Sequence, residues 1–334
     1  MLKYFIYHCP EFTRLEPILQ TQKAVRVNNV DECDFILSMV ESRKQFNEND
    51  IEYLNKTNKP VIIVERVDSC PIWFRDFNKL HHLKLVIKNR NFRNIQDNNE
   101  IMFKGRHHYL LIHKAFKLST KYNCKEHDIS RNWKMNKLEY IDDIHFDKIK
   151  TLLWDFHSSP LSLYSKEHVN QPVNISDRLI DVFCVSRSRY GIQDILRNRV
   201  KNIVNKMGTK YNVLTNKLDK SEYDKLFRMS KVCIACPGWG EWVHMDGYAL
   251  LSRVILLKPE CDYVKMDPDI YQKNTFYIPF KYDLSDLSEK IEYCINNYHT
   301  EEIQQMLDRG EQLIRNLCKE TFIDNFWNII GEKY

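Results

Sequence analysis

Two α/β domains, each built on a parallel sheet, are what this sequence predicts, and three observations carry that expectation. Strand-like and helix-like segments alternate over residues 3–89, and the alternation restarts at residue 178. Between the two runs lies HSSPLSLYSKEHVNQPVNISD (157–177), polar, with two prolines and no periodicity. The length of 334 residues, with 43% apolar and 12% aromatic side chains, is enough for two cores of ordinary size.

The first run opens with KYFIYHC (3–9), a strand, and TRLEPILQTQ (13–22), a helix. DFILSMV (34–40) is a second strand. NENDIEYLNKTN (47–58) is an amphipathic helix with Asn and Asp placed as caps. KPVIIVERVDS (59–69), β-branched and bounded by Pro60, is the clearest strand, and HLKLVIKN (82–89) is a fourth. LLIHKAFKL (110–118) reads as helical, and FDKIKTLLWDF (146–156) as a helix or helix pair. The second run starts with the strand RLIDVFCVS (178–186), the basic turn RSRYG and the helix IQDILRNRVKNIVNKM (192–207). KYNVLTN, KVCIACP, RVILLKP and NTFYIPF follow as strands. SEYDKLFRMS, with Ser221 as N-cap, and EWVHMDGYALLS are the helices between them, and further helices close the chain. The expected division is 1–156, a linker at 157–177, a second domain at 178–310 and a C-terminal helix at 311–334.

The net charge of +5, from 50 basic and 45 acidic residues, falls short of the concentrated basic face of a dedicated nucleic-acid binder. It suits a protein with one local anion site. Ten cysteines are scattered, several inside apolar runs where a thiol packs as a small hydrophobe. MLKYFIYHCPEF has no targeting pattern, and no apolar run approaches the roughly 20 residues that span a bilayer. A soluble, cytoplasmic protein is the expectation.

The stretch KVCIACPGWGEWVHMDGYALLSRVILLKP (231–259) decides most about function. Cys233 and Cys236 have the CxxC spacing of a zinc knuckle or a redox motif. A zinc site needs a second ligand pair, and no second CxxC or HxxxH exists, so packing is the expected role. Gly238, Trp239 and Gly240 follow a strand and precede a helix, where backbone N–H groups and the helix N-terminus favour an anion. Ser186, Arg187 and Arg189 stand at the equivalent place after the first strand of the same domain. A hydroxyl with guanidinium forks there suits a diphosphate, because Arg bonds phosphate in a bidentate way and keeps its charge. Two anion-friendly turns in neighbouring βα units suggest a nucleotide diphosphate lying across the strand ends.

Residues 178–296 resemble the donor-sugar domain of GT-B glycosyltransferases, nearest to the CAP10-like (family 90) enzymes, which transfer glucose or xylose from UDP-sugars. Val185-Ser186-Arg187 is similar to that family's Gly-Ser-Arg-like turn, and FYIPFKYDLSDLSEKIEY (276–293) to its His-Tyr-Val-Pro segment and Asp-Leu-Ser-Asp-Leu helix start. Without gaps, Pro237-Gly238 takes the place of the family's Asp-Gly, and His244 that of a phosphate-binding helix arginine. A gapped register matches Asp246-Gly247 and Ser252-Arg253 instead. The ungapped register keeps strand, turn and helix lengths.

The resemblance implies two Rossmann-like domains facing a cleft, with the acceptor on the first, the nucleotide sugar on the second and C-terminal helices crossing back. The donor phosphates would meet Ser186, Arg187, Arg189, the Gly238–Trp239–Gly240 turn and His244. Glu241 and Asp246 are candidates for the donor sugar or ribose, and Tyr211, Thr215 and Tyr223 for the base. No metal and no bound cofactor are expected, because the UDP-sugar is a co-substrate and no DxD pair follows a strand; DPD (267–269) lies in a loop-like segment. The acceptor would be a glycan or glycoprotein hydroxyl, and its proton would go to a side chain at the cleft end of a first-domain strand. Asp68 is the first choice and His8 the second, with Glu65, Asp31 and Asp34 behind them. The rival readings are a non-catalytic relative and a single-stranded nucleic-acid binder. The latter would use KLVIKNRNFRNIQ and FKGRHHYLLIHK, which interleave basic and aromatic residues.

Overall fold

The apolar runs form two parallel sheets in the computed structural model, which describes residues 1–7, 21–41, 46–66, 70, 72, 74, 76–96, 101–103, 106–118, 135–137, 143–152, 178–186, 191–238, 240–317 and 319–332. In chain order the first half holds β1 (Leu2–Ile6), β2 (Ala24–Arg26), β3 (Phe35–Glu41), α1 (Glu48–Lys56), β4 (Val61–Arg66), β5 (Leu83–Lys88) and β6 (Asn91–Phe92). It continues with β7 (Ile101–Phe103), α2 (His107–Ala115), β8 (Met135–Lys137), α3 (Asp143–Phe146) and β9 (Ile149–Thr151). The second half holds β10 (Ile180–Phe183), α4 (Ile192–Met207), β11 (Val213–Leu214), α5 (Lys220–Arg228), β12 (Ser230–Ile234) and α6 (His244–Leu251). After these come β13 (Ile255–Pro259), β14 (Val264–Lys265), β15 (Ile278–Phe280), α7 (Leu287–Asn296), α8 (Glu301–Asn316) and α9 (Lys319–Gly331).

The first sheet has the order β2-β1-β3-β4-β5-β9 and the second β11-β10-β12-β13-β15, with every pairing parallel. Both are doubly wound, so each has a switch point between its first strand and the strand that follows the reversal. Alternate residues feed opposite cores, as the two-residue period of a strand requires. In β3 and β4, Leu37, Met39, Ile62 and Val64 face one cluster, and Ile36, Val40, Val61 and Ile63 the other. The second sheet divides in the same way, with Val182, Val232 and Leu257 on one face and Phe183, Cys233 and Leu256 on the other.

The C-terminal helices divide between the sheets. Ile303, Met306 and Leu307 of α8 pack on the second sheet. Gly310 brings α8 so near to α6 that a Cβ there would lie 2.9 Å from Leu250 Cδ2. After the break at Leu317, α9 crosses to the first sheet, where Phe326, Trp327 and Ile330 join its core and Trp327 stands 5.5 Å from Tyr4. In the reverse sense, α2 lies within the span 1–156 but packs on the second sheet through Tyr109, Leu110 and Ile112. The two-stranded antiparallel pairing of β6 with β14 also ties the halves together.

Two local expectations are corrected. Residues 149–151 form the edge strand β9 rather than a helix, with Ile149 and Thr151 buried around exposed Lys150. Helix α5 starts at Lys220 with Asp219 as its N-cap, not Ser221. Asn47 and Asp50 of α1 form the reciprocal cap that the sequence suggested, at 3.0 and 2.8 Å. The segment 157–177 and most of 13–22 lie outside the described residues.

Arg178, 5% exposed, shows how the second sheet is anchored. Its guanidinium donates to the carbonyls of Arg228 and of Ser230 (2.9 Å), and to those of Ser252 (2.6 Å) and Arg253 (3.2 Å). The Arg228 carbonyl ends α5 and those of Ser252 and Arg253 follow α6, where intrahelical partners run out and a positive charge is favoured, while Ser230 opens β12. Lysine would keep the charge and lose the planar fork. Arg178→Lys is therefore expected to lower the unfolding free energy in urea by about 1.5–3 kcal/mol.

Candidate functional site between the two sheets

The carboxyl ends of the two sheets meet. Cys70, shortly after β4, donates its N–H to Glu241 Oε2 at 3.1 Å, and Glu241 lies between β12 and α6. Ligands of open α/β sheets bind at this edge, at the switch point. In the second sheet that point lies between β10 and β12. Ser186 and the Gly238–Gly240 turn follow those two strands, and His244 opens α6 directly after the turn. Ser186 and His244 are both exposed there. The predicted phosphate-binding residues that are described therefore follow two neighbouring parallel strands at their carboxyl ends. Arg187, Arg189 and Trp239, with the first-domain candidates His8 and Asp68, lie outside the described residues.

The turn is held by its carbonyls. Arg197 of α4 donates to Pro237 O at 3.0 Å, and His108 Nε2 of α2 lies 3.3 Å from Gly238 O. Gly238 N–H is used within the turn, donating to Gly240 O at 3.0 Å. Glu241 is wholly buried, with Oε1 3.0 Å from His108 Nδ1. Burial pushes the Glu241 carboxyl up, but the charge and hydrogen bond of His108, with Arg90, outweigh it and bring it down to about 2. Burial in turn pushes the His108 ring below its ordinary value, against the pull of Glu241.

Asp246 is buried just as fully. It forms an ion pair with Lys258 at 3.0 Å, accepts Tyr271 OH at 2.6 Å and accepts Val243 N–H at 3.2 Å as a cap of α6. Both acidic residues expected at the donor sugar are thus taken up by protein groups in this structure. The base-binding candidates are not brought together. Tyr211 precedes β11, at the edge away from the turns, while the Thr215 hydroxyl is bonded to Asn205 at 2.7 Å. Tyr223, partly buried, packs against the core, 5.0 Å from Phe183 and 6.0 Å from Phe227.

On the first sheet, Glu65 is 0% exposed, bridged to Lys88 at 2.9 Å and accepting Phe74 N–H at 2.7 Å. Asp31 and Asp34 precede β3 and so lie at the amino edge, away from the junction. Asp269 of the DPD segment pairs with Arg93 at 2.6 Å. Among the described residues, no group of three or more His, Cys, Asp or Glu side chains could hold a metal ion. Cys233, in β12, and Cys236, just after it, pack into opposite cores. Burial pushes the Cys236 thiol up to about 11 and Cys233 well above the ordinary range, which suits packing and not redox chemistry.

Lys88, Arg90, Phe92 and His108, parts of the suggested nucleic-acid strip, are interior side chains. Sequence reasoning missed His108, Arg197, Lys258 and Tyr271 as members of the junction. No helix among the described residues is long and apolar enough to cross a membrane.

No family profile matches the chain, and no curated protein matches it in sequence. Solved structures do. The lipopolysaccharide outer core galactosyltransferase WaaB, in its apo form, is 10% identical over 100% of both chains, with a TM-score of 0.50. Anabaena Alr3699/HepE in complex with UDP-glucose is 10% identical over 99% of this chain and 100% of its own, at 0.42. A variant of S. aureus TarM, in complex with Fondaparinux, alpha-GlcNAc-glycerol and UDP, is 13% identical at 0.41. That match covers 84% of this chain and 58% of TarM, so the chain spans little more than half of TarM's length. At such identities the likeness is one of architecture, and the architecture is that of two Rossmann-like domains of the GT-B kind.

Proposed function

We propose that this chain is a glycosyltransferase that moves a sugar from a UDP-sugar to a hydroxyl of a glycan or glycoprotein. The observation that carries the reading is the placement of Ser186, the Gly238–Gly240 turn and His244 at the switch point of the second sheet, where that sheet meets the carboxyl edge of the first. Glucose or xylose is the donor sugar that the CAP10-like motifs favour.

The acceptor oxygen attacks the anomeric carbon, the bond from that carbon to the phosphate oxygen breaks, and its electron pair leaves with UDP. Inversion follows from this single displacement. Ser186, Arg187, Arg189 and His244 stabilise the charge that develops on the phosphate, with no metal needed in this reading. Asp68, or else His8, takes the acceptor proton.

Ligand-observed NMR against UDP-, GDP- and CMP-sugars tests the donor assignment, with Arg187→Ala as the control. One UDP-sugar is expected to bind selectively, and its signal to be lost in the variant. A folded protein that binds none of the panel would overturn the reading in favour of a non-catalytic relative.

A further inference from the structure

His108 is buried, and both of its ring nitrogens face oxygen atoms that can only accept. Nδ1 lies 3.0 Å from the Glu241 carboxylate and Nε2 lies 3.3 Å from the Gly238 carbonyl. A neutral imidazole carries one N–H and one lone pair, so it can serve only one of these acceptors. The other contact would then set lone pair against lone pair. The imidazolium has two N–H donors and serves both.

We propose that His108 is a positioning residue whose protonated ring clamps the Gly238–Gly240 turn to helix α2, and that the turn loosens when the ring loses its Nε2 proton. The effect on donor phosphate binding rests on the function proposed above. The clamp itself rests on the two contacts alone.

Several neighbouring groups act on the ring. Glu241 attracts the proton, whereas Arg106 on the same helix repels it. Arg90 acts on Glu241, and Cys70 holds the other carboxylate oxygen through its N–H. Tyr109 OH is 3.5 Å from Gly238 O, too far to replace the histidine bond. Arg197 holds the adjacent carbonyl of Pro237, so one side of the turn stays fixed while the His108 side is released. Burial lowers the pKa of the ring, which places release on the acid side of the ordinary histidine range. The sign follows: the clamp is closed at low pH and opens as pH rises through the His108 midpoint.

The test uses the whole chain with ring-labelled histidine and amide NMR over the pH range in which the protein is folded. His108 is expected to show two protonated nitrogens at the acid end and to lose the Nε2 proton on titration, with the Gly238 and Gly240 amide signals moving at the same midpoint. A ring that stays in one neutral tautomer throughout, or glycine signals that ignore its titration, would overturn the clamp. In parallel, UDP-glucose binding is measured against pH. Wild-type affinity is expected to fall about fivefold across the midpoint, the worth of one ordinary hydrogen bond, and His108→Gln to bind with no such step. A step of the same size in His108→Gln would also overturn the proposal. If UDP-glucose does not bind wild type at any pH, the donor reading fails, and the ring and glycine signals still decide the clamp.

Discussion

Asp246→Asn is expected to cost about 3–5 kcal/mol of folding stability, the loss seen when one partner of a buried ion pair is removed. Asp246 and Lys258 are both 0% exposed and 3.0 Å apart. Without the carboxylate, the buried Lys258 ammonium has no counter-charge and faces only a neutral amide oxygen, a long contact to Ala235 O at 3.4 Å and the nearby Tyr271 ring. The same substitution weakens the acceptor for Tyr271 OH and for Val243 N–H, so the cap of α6 is weakened at the step that strips a buried charge. Urea unfolding at neutral pH measures the loss. Adding Lys258→Met should recover much of it, because an apolar side chain of similar length needs no counter-charge. A single variant within 1 kcal/mol of wild type would show that the pair is not the buried contact described.

The same pair shows where sequence reading stops. The alternation of apolar strands and amphipathic helices made two parallel sheets legible, because a period of two and a period near 3.6 are local properties. Helix 192–207 was legible to the residue. What escaped is non-local. β9 is three residues long and pairs only at a sheet edge, and β6 and β14 are two residues each. Nothing in α9 announces that its Trp327 packs on the sheet that begins the chain.

For the site, the sequence offered a position and little of the chemistry around it. Gly and Ser at the ends of strands marked the edge where ligands bind. Glu241 and Asp246, a few residues further on, read as candidates for the donor sugar or ribose, and the structure shows both as buried anchors. Their partners decide between the two, and these lie far away in sequence: Cys70 is 171 residues from Glu241 and His108 is 133. A signal did exist for His108. It stands four residues before Ile112, hence on the same helix face, and Ile112 is fully buried. A histidine on that face is an interior group, whatever the basic character of the letters around it.

Glu241 leads to the second large effect, in acid. Its folded pKa, about 2, lies below the ordinary glutamate value near 4.3, so the folded state binds the proton less readily than the unfolded chain. The stability this provides is complete above the unfolded value and is lost as pH falls through the folded one. The difference corresponds to about 3 kcal/mol, released between roughly pH 5 and pH 2. Glu241→Gln removes the titrating group and also sets an amide against either the Cys70 N–H or the His108 ring. The variant should therefore be less stable than wild type at pH 6, by about 3–5 kcal/mol, and the gap should narrow steadily toward pH 2. Stability curves for the two proteins that run parallel from pH 5 to pH 2 would mean that Glu241 carries no charge in the folded junction, and the clamp on the Gly238 turn would lose its counter-ion with it.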